Sequence, residues 1–114
     1  MVSIKRGDVV LVNFDPTVGA EVQKSRPAVV VSNDINNTHS PIVSISPITS
    51  TVSRVYSFEV EIPAGSGGLK VRSKAMVNQT RAVDNIRLVK KMGRLSDEVM
   101  LKVNSALKLH YDLL

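Results

Sequence analysis

The sequence contains no cysteine and no tryptophan, and its aromatic residues are limited to two tyrosines and two phenylalanines. The absence of cysteine excludes a disulfide-stabilised scaffold and thiolate metal ligands. Because a cysteine-free chain is well suited to a reducing compartment, we expect a cytoplasmic location. The shortage of aromatic rings limits any recognition that depends on stacking.

The sequence also lacks a long apolar run. Its longest uncharged stretch, residues 35–53, is rich in Asn, Ser, Thr and Pro and does not resemble a membrane span. Residues 1–8 lack the apolar run of a secretory signal. At 114 residues the chain fits one domain, residues 1–114, large enough to bury a core. We therefore expect a single-domain protein with no membrane partner.

Positive charge is in excess and is unevenly placed. The net charge is +5, and residues 70–94 hold eight cationic side chains but only one carboxylate, Asp84. The eight are Lys70, Arg72, Lys74, Arg81, Arg87, Lys90, Lys91 and Arg94. A cluster of this kind attracts polyanions and makes their binding depend on salt. A solvated basic face is the alternative interpretation of the same charges.

Hydrophobic patterning predicts a mainly β chain. The expected strands are residues 9–14, 27–31, 42–46, 55–62, 74–78 and 86–90. Residues 32–34 are expected to form a turn. Pro47 is expected to bend or end the third strand, which leaves Thr49 where strand becomes loop. Gly93 is expected to break the last strand.

One helix is predicted at the C-terminal end of the sequence. Ser96 is a favourable N-cap, and Asp97 and Glu98 complement the positive end of the helix dipole. Apolar residues recur at helical spacing from Met100 onward, on a face that also includes His110. The predicted fold is mainly β (a β-rich α+β fold), with a small, strongly bent antiparallel sheet or partly open barrel and a C-terminal helix.

A carboxylate and a guanidinium stand five positions apart just before the second predicted strand. They are Glu21 and Arg26, in the segment TVGAEVQKSRPAVV. In an unrelated sequence such a pair is usually a surface ion pair of little energetic value. In a basic chain it also fits a base and a cation held against a phosphate.

Four sequence blocks resemble the MazF/PemK-type toxins, which are ribonucleases of bacterial toxin-antitoxin modules. The blocks are RGDVVLVNFDPTVGAE, RPAVVVSND, SPIVSISPIT and NQTRAVDNIRL. The resemblance implies a homodimer that cleaves single-stranded RNA at short sequences without a metal or other cofactor. It also implies an acidic antitoxin peptide as a partner. Pro47 and two short segments, residues 50–54 and 65–68, depart from the family pattern, so the RNA sequence that is cut stays unassigned.

The resemblance implies catalytic roles for three residues and substrate contacts for two. The family's Glu and Arg correspond to Glu21 and Arg26, and its strand-end Thr corresponds to Thr49. A Gln and an Arg near the family's groove correspond to Gln79 and Arg81.

Metal-free RNA cleavage needs a base, charge stabilisation and a proton for the leaving group. Glu21, with an ordinary pKa of about 4.3, can take the 2′ proton, and the 2′ oxygen then attacks phosphorus to give 2′,3′-cyclic phosphate and 5′-OH ends. Arg26 offers a fork of donors to phosphate oxygens, and such a donor contributes about 2.7–4 kcal/mol in the transition state. Either Arg26 or water supplies the leaving-group proton. Thr49 adds a hydrogen bond of about 1 kcal/mol.

The remaining substrate contacts are assigned by residue type. Asn13, Asn33 and Gln79 are expected to read base edges, together with arginine planes such as that of Arg81. Lys70, Arg72 and Lys74 are expected to contact phosphates. A histidine mechanism lacks partners, because we expect His39 to be exposed and His110 to pack in the core.

Two other classes of function stay open at this point. One is a non-enzymatic inhibitor similar to the gyrase-poison toxins that share the expected fold. The other is a plain nucleic-acid-binding module that uses the basic segment. The combination of Glu21, Arg26 and Thr49 favours cleavage over both.

Overall fold

A computed structural model describes residues 3–14 and 25–113. In these residues seven strands form one antiparallel sheet that does not close into a barrel. The strands are β1 (Asp8–Asn13), β2 (Ser25–Val30), β3 (Ile42–Thr49), β4 (Glu59–Ile62), β5 (Ser73–Met76), β6 (Arg81–Asp84) and β7 (Leu88–Arg94). The helices are α1 (Asp34–His39) and α2 (Asp97–His110), and short 3₁₀ turns lie at Ser66–Gly68, Val77–Gln79 and Asn85–Arg87. The predicted fold class is confirmed.

The sheet is organised around β3. Its strand order is β4-β5-β3-β2-β1-β7, and β6 pairs with the first half of β3 on the edge where β5 pairs with the second half. One edge of β3 therefore contacts β2, while the other is shared by two short strands. Because β2 and β3 are antiparallel, the start of β2 lies beside the end of β3.

Two apolar clusters cover the two faces of the sheet. Alternate residues of each strand belong to different clusters, as the period of two requires. The face under α2, which we call the helix face, carries Val9, Val29, Ile48, Ala75 and Val103. The opposite face, which we call the far face, carries Val10, Val12, Ala28, Val43 and Ile45. A side chain's position in its strand thus determines the side of the sheet on which it acts.

Helix α2 begins as predicted. The Ser96 hydroxyl accepts a hydrogen bond from the Val99 N–H at 3.2 Å, and Val99, Val103 and Ala106 are buried against the sheet. His110, predicted as a core residue, is exposed. That prediction is wrong because the last turn of α2 is exposed, at Leu109 as well as at His110. None of the helices in the described ranges is long and apolar enough to cross a membrane.

Residues 34–39 form α1, a helix that the sequence analysis did not predict. Asn33 caps this helix, since its side-chain oxygen accepts from the Asn36 N–H at 2.8 Å. The Thr38 hydroxyl donates to the Asp34 carbonyl at 2.8 Å. Short polar side chains therefore satisfy a helix that has no buried residue and no apolar pattern to reveal it. His39 is exposed, as predicted.

Pro47 was expected to bend or end the third strand; strand β3 runs through this proline, so the expectation that it ends the strand is wrong. The Val31 N–H donates to the Ser44 carbonyl of β3. Backbone groups alternate between the two edges of an antiparallel strand, so the even-numbered residues of β3 bond to β2. The backbone groups of the odd-numbered residues point to the other edge. On that edge β6 pairs as far as Ile45 and β5 begins opposite Ile48. The missing N–H of Pro47 thus falls in the gap between two partner strands.

The later strands differ from their predicted bounds. Strand β4 covers only Glu59–Ile62, because residues 55–58 form part of a loop. Strand β6 was not predicted, and β7 continues through Gly93 rather than breaking there. A Cβ on Gly93 would lie 2.5 Å from the Gly67 backbone carbon. This glycine therefore allows the Ser66–Gly68 turn to pack directly on β7.

Candidate active site

Arg26 and Thr49 lie opposite each other at the ends of β2 and β3. The register pairs Ala28 with Pro47, and continuing it by two residues along each strand places Arg26 across from Thr49. Arg26 also pairs with Val12, a far-face residue, so Arg26 lies on the far face. Both residues also line the same cavity. The structure thus brings two of the three predicted catalytic residues together.

A cavity of about 430 Å³ opens at these strand ends. The polar residues that line it are Arg26, Thr49, Ser50, Thr51, Lys70 and Ser73. Among the described residues no carboxylate lines it. Cations and hydroxyl donors in this arrangement fit a phosphate.

The Thr49 hydroxyl is held in place by the backbone. Its oxygen accepts a hydrogen bond from the Thr51 N–H at 3.2 Å. A hydroxyl that accepts one hydrogen bond keeps its own O–H to donate. Thr49 is half-buried at the end of its strand, so this donor lies at the cavity wall.

Glu21, the predicted base, lies in residues 15–24, outside the described part of the chain. Its catalytic role stays a prediction.

Arg81 lies on the same face as Arg26. It pairs with Ile45 of the far face, and its guanidinium carbon lies 5.5 Å from the centre of the Phe14 ring. Arg81 is exposed, so the guanidinium stacked on Phe14 is accessible to a ligand. Gln79 is also exposed, and its amide donates weakly to the Met76 sulfur at 3.5 Å.

Two of the three cations predicted for phosphate contacts already have carboxylate partners. Arg72 donates to both oxygens of Glu61, at 2.8 and 2.7 Å. This bidentate bond lowers the pKa of Glu61 and raises the pKa of Arg72. Lys74 is 9% exposed, and its ammonium lies 2.9 Å from the Glu59 carboxylate. Only Lys70 of these three lines the cavity.

Asn13 and Asn33, predicted to read bases, are not brought to Arg26 and Thr49. Asn13 pairs with Ser25, one position from Arg26, so strand alternation places it on the helix face. Asn33 caps α1 beyond the opposite end of β2, and its side-chain oxygen is occupied there.

The sequence analysis missed the hydroxyl groups of Ser50 and Thr51 at the cavity. The signal was the unbroken run Thr49-Ser50-Thr51 at a predicted strand end. It also missed the cluster formed by Lys74, Glu59 and Tyr56, which depends on the pairing of β4 with β5 and has no local signature. The described residues include no group of three acidic or histidine side chains placed to hold a metal.

Fold and site together define a small open-sheet protein that presents an arginine, a lysine and hydroxyl donors to an anionic ligand. Residues 5–111 match the family described as PemK-like, MazF-like toxin of type II toxin-antitoxin system. The chain belongs to this family, and the resemblance found in the sequence is confirmed.

Similar proteins extend over nearly the whole chain. Endoribonuclease MazF9 of Mycobacterium tuberculosis is 38% identical over 96% of this chain and 98% of its own length. Endoribonuclease EndoA of Bacillus subtilis is 37% identical over 93% of this chain and 92% of its own. The MazE-MazF (Form-II) structure from Deinococcus radiodurans superposes with a TM-score of 0.85 at 25% identity and covers 100% of both chains.

Proposed function

We propose that the protein is a toxin of a type II toxin-antitoxin module that acts as a sequence-specific endoribonuclease on single-stranded RNA. The observation that carries this proposal is the cavity where Arg26, Thr49 and Lys70 meet without a carboxylate among the described residues. The names of the relatives, which are endoribonucleases, support the same activity. The proposed chemistry is attack by the 2′-hydroxyl, without a metal ion.

Glu21 begins the reaction in this mechanism. Its carboxylate takes the proton of the 2′-hydroxyl, and the 2′ oxygen forms a bond to the adjacent phosphorus. The bond from phosphorus to the 5′ oxygen breaks, and its electron pair stays on that oxygen. Water supplies the proton for the leaving oxygen, because an arginine guanidinium keeps its proton in proteins.

Arg26 stabilises the negative charge that develops on phosphorus oxygens. Its planar fork matches two oxygens at once, which an ammonium cannot do. The exposed position of Arg26 at the start of β2 leaves this fork accessible to RNA. Thr49 donates its hydroxyl to a neighbouring oxygen, and Lys70 contacts a flanking phosphate.

We also propose that the protein acts as a homodimer in the cytoplasm and is silenced by an acidic antitoxin peptide. The net charge of +5 favours an acidic partner, and one similar structure is named as a MazE-MazF assembly. A two-fold axis would give the dimer two copies of the basic surface. Sedimentation of the purified protein, alone and with an acidic peptide from its own module, tests both partners.

Cleavage is tested by incubating the protein in EDTA with a long single-stranded RNA. We expect discrete fragments with 5′-OH and 2′,3′-cyclic phosphate ends. Arg26→Ala should slow cleavage by about 10²–10³-fold, and Glu21→Ala should also lose activity. Arg72→Ala is the matched control, since Arg72 is paired with Glu61 and is not a cavity residue.

Three results would contradict the proposal. If the wild-type protein leaves the RNA uncut with or without magnesium, a toxin that acts by binding alone is favoured. Cutting that occurs only with magnesium would exclude the metal-free chemistry. Equal rates for Arg26→Ala and Arg72→Ala would remove the assigned role of the cavity.

A further inference from the structure

The geometry points to Tyr56 as a base-stacking residue that selects the RNA sequence, linked to the strand position opposite Thr49 by a buried ion pair of Lys74 and Glu59. We call Tyr56, Phe58 and Arg54 together the Tyr56 platform. Its proposed ligand is one unpaired RNA base next to the cleaved phosphodiester. The inference rests on the proposed function, because it assigns substrate selection to the same site.

Lys74 connects the platform to the candidate active site. It lies directly opposite Thr49 in the pairing of β3 with β5, so both side chains are on the same face of the sheet. The Lys74 ammonium lies 5.9 Å from the centre of the Tyr56 ring. One buried side chain therefore spans from the strand position beside Thr49 to the ring.

The ion pair fixes the segment that carries Tyr56. The Lys74 ammonium donates to the Glu59 carboxylate at 2.9 Å and to the Arg54 carbonyl at 2.7 Å. The same Glu59 oxygen accepts from the Tyr56 N–H at 3.0 Å. A buried ion pair is stable only where further hydrogen bonds satisfy it, and here those bonds go to backbone groups of residues 54 and 56. The pair thus orders a loop rather than a strand.

The platform combines two rings and a guanidinium that are exposed or partly exposed to solvent. The Tyr56 and Phe58 rings are parallel to within 4° with centres 5.2 Å apart, and the Arg54 guanidinium carbon lies 5.5 Å from the Tyr56 centre. Arg54 also donates to the Tyr56 hydroxyl at 3.2 Å. Tyr56 is nevertheless 45% exposed. Unpaired RNA bases stack on aromatic rings and on guanidinium planes of this kind.

Lys74 is a positioning residue in this scheme. Its ammonium is occupied by Glu59 and Arg54, so it acts on RNA through the platform and not on the scissile phosphate. Loss of the platform should therefore weaken RNA binding and relax the preference for one base at one position of the RNA. The rate of cleavage in the bound complex should not change. The expected rise in KM is about tenfold, in the range for loss of one stacked base.

The test uses a random-sequence pool of single-stranded RNA, sequencing of the fragment ends and steady-state kinetics on one preferred oligonucleotide. Tyr56→Ala should lose base preference at one position beside the cut, with kcat within about twofold of wild type. Tyr56→Phe should restore the preference, because the ring is kept. Tyr111→Ala is the matched control, since Tyr111 is 51% exposed at the end of α2 on the helix face.

The ion pair is tested by the double variant Lys74→Met/Glu59→Leu. Replacing both partners avoids an uncompensated buried charge, so the variant can fold while the loop loses its anchors. It should show the same relaxed preference as Tyr56→Ala. An unchanged cut sequence and KM in Tyr56→Ala would overturn the inference, whatever the double variant does.

A binding measurement separates this inference from the proposed function. Fluorescence anisotropy with a 2′-O-methyl RNA, which cannot be cleaved by its own 2′ oxygen, reports binding alone. Weaker binding by Tyr56→Ala than by Tyr111→Ala supports the platform even if no RNA is cut. Equal binding by the two variants overturns the platform even if cleavage is observed.

Discussion

At the scale of single residues, the main correction concerns charge. The sequence places one carboxylate among eight cations in residues 70–94. The structure brings in carboxylates from elsewhere, since Glu61 binds Arg72, Glu59 binds Lys74, and Asp8 lies near Lys91 and Arg94. A charge count along the sequence cannot detect these partners, because strand pairing supplies them. The cations best placed for RNA are therefore fewer than the count implies.

Asp8 is charged but buried, and it should contribute strongly to the stability of the fold. It is 2% exposed, it accepts from the Lys5 N–H at 2.8 Å, and it lies 3.3 Å from the Arg94 guanidinium. Asp8→Ala leaves these donors without their acceptor, which should cost about 1–3 kcal/mol of unfolding free energy. Urea unfolding measures the loss. Glu61→Ala, which breaks an exposed ion pair, is the control with no resolvable change, and equal midpoints for the two variants would contradict the argument.

Asp34 should make stability depend on acid pH. The Arg6 N–H donates to its carboxylate at 2.6 Å and holds the pKa of Asp34 below its ordinary value of 3.8, with help from Asn37. A carboxylate whose pKa is lowered in the folded state stabilises the fold at pH values above its ordinary pKa. That stabilisation is lost as the pH falls through the folded-state pKa. Asp34→Asn should therefore lose less stability than wild type between about pH 5 and about pH 2. Thermal unfolding across that range checks this, and parallel pH curves would count against it.

At the scale of elements, the Ser66–Gly68 turn packs closely on β7. The neighbouring Gly65 has a similar backbone conformation without this close contact and serves as a control. Gly65 and Gly68 both have positive φ angles, 88° and 77°. A Cβ on Gly65 meets nothing within 4 Å, whereas one on Gly68 would collide with the Met92 carbonyl. Gly65→Ala should cost about 1–2 kcal/mol from backbone strain, and Gly68→Ala should cost clearly more. Chemical unfolding compares them, and equal losses would mean that the turn moves away from β7 freely.

The sequence could predict the elements that have a local signal, but not those that depend on long-range strand pairing. Helix α2 and the apolar runs of β2 and of the first half of β3 have local signals, namely an N-cap and apolar residues bounded by polar ones. The continuation of β3 through Pro47 has none, because it depends on where β5 and β6 happen to end. The Lys74–Glu59 pair likewise requires the register of β4 against β5. Local patterns thus give helix α2 and the apolar parts of these strands, and long-range pairing gives the continuation of β3 to Thr49 and the partner of Lys74.

At the scale of the whole molecule, helix α2 and the candidate site lie on opposite faces of the sheet. Helix α2 covers the helix face with buried apolar residues, while Arg26, Thr49 and Arg81 all project from the far face. The far-face cluster lies beneath these polar side chains and fixes the strands that carry them. Substitutions on the exposed side of α2 should accordingly leave RNA binding unchanged.

Salt dependence should reveal which cations neutralise RNA phosphates across this face. For single strands, the logarithm of affinity falls with the logarithm of salt by about 0.7 per phosphate contact. Lys70→Ala and Arg81→Ala should each reduce this slope by about 0.7, since Lys70 lines the cavity and Arg81 is exposed on the far face. Arg72→Ala should change the slope much less, because Glu61 already balances that charge. Anisotropy titrations with 2′-O-methyl RNA at several salt concentrations measure all three. If Arg72→Ala lowers the slope as much as Lys70→Ala, the pair with Glu61 must open on binding, and the charge assignment drawn from the free protein is wrong.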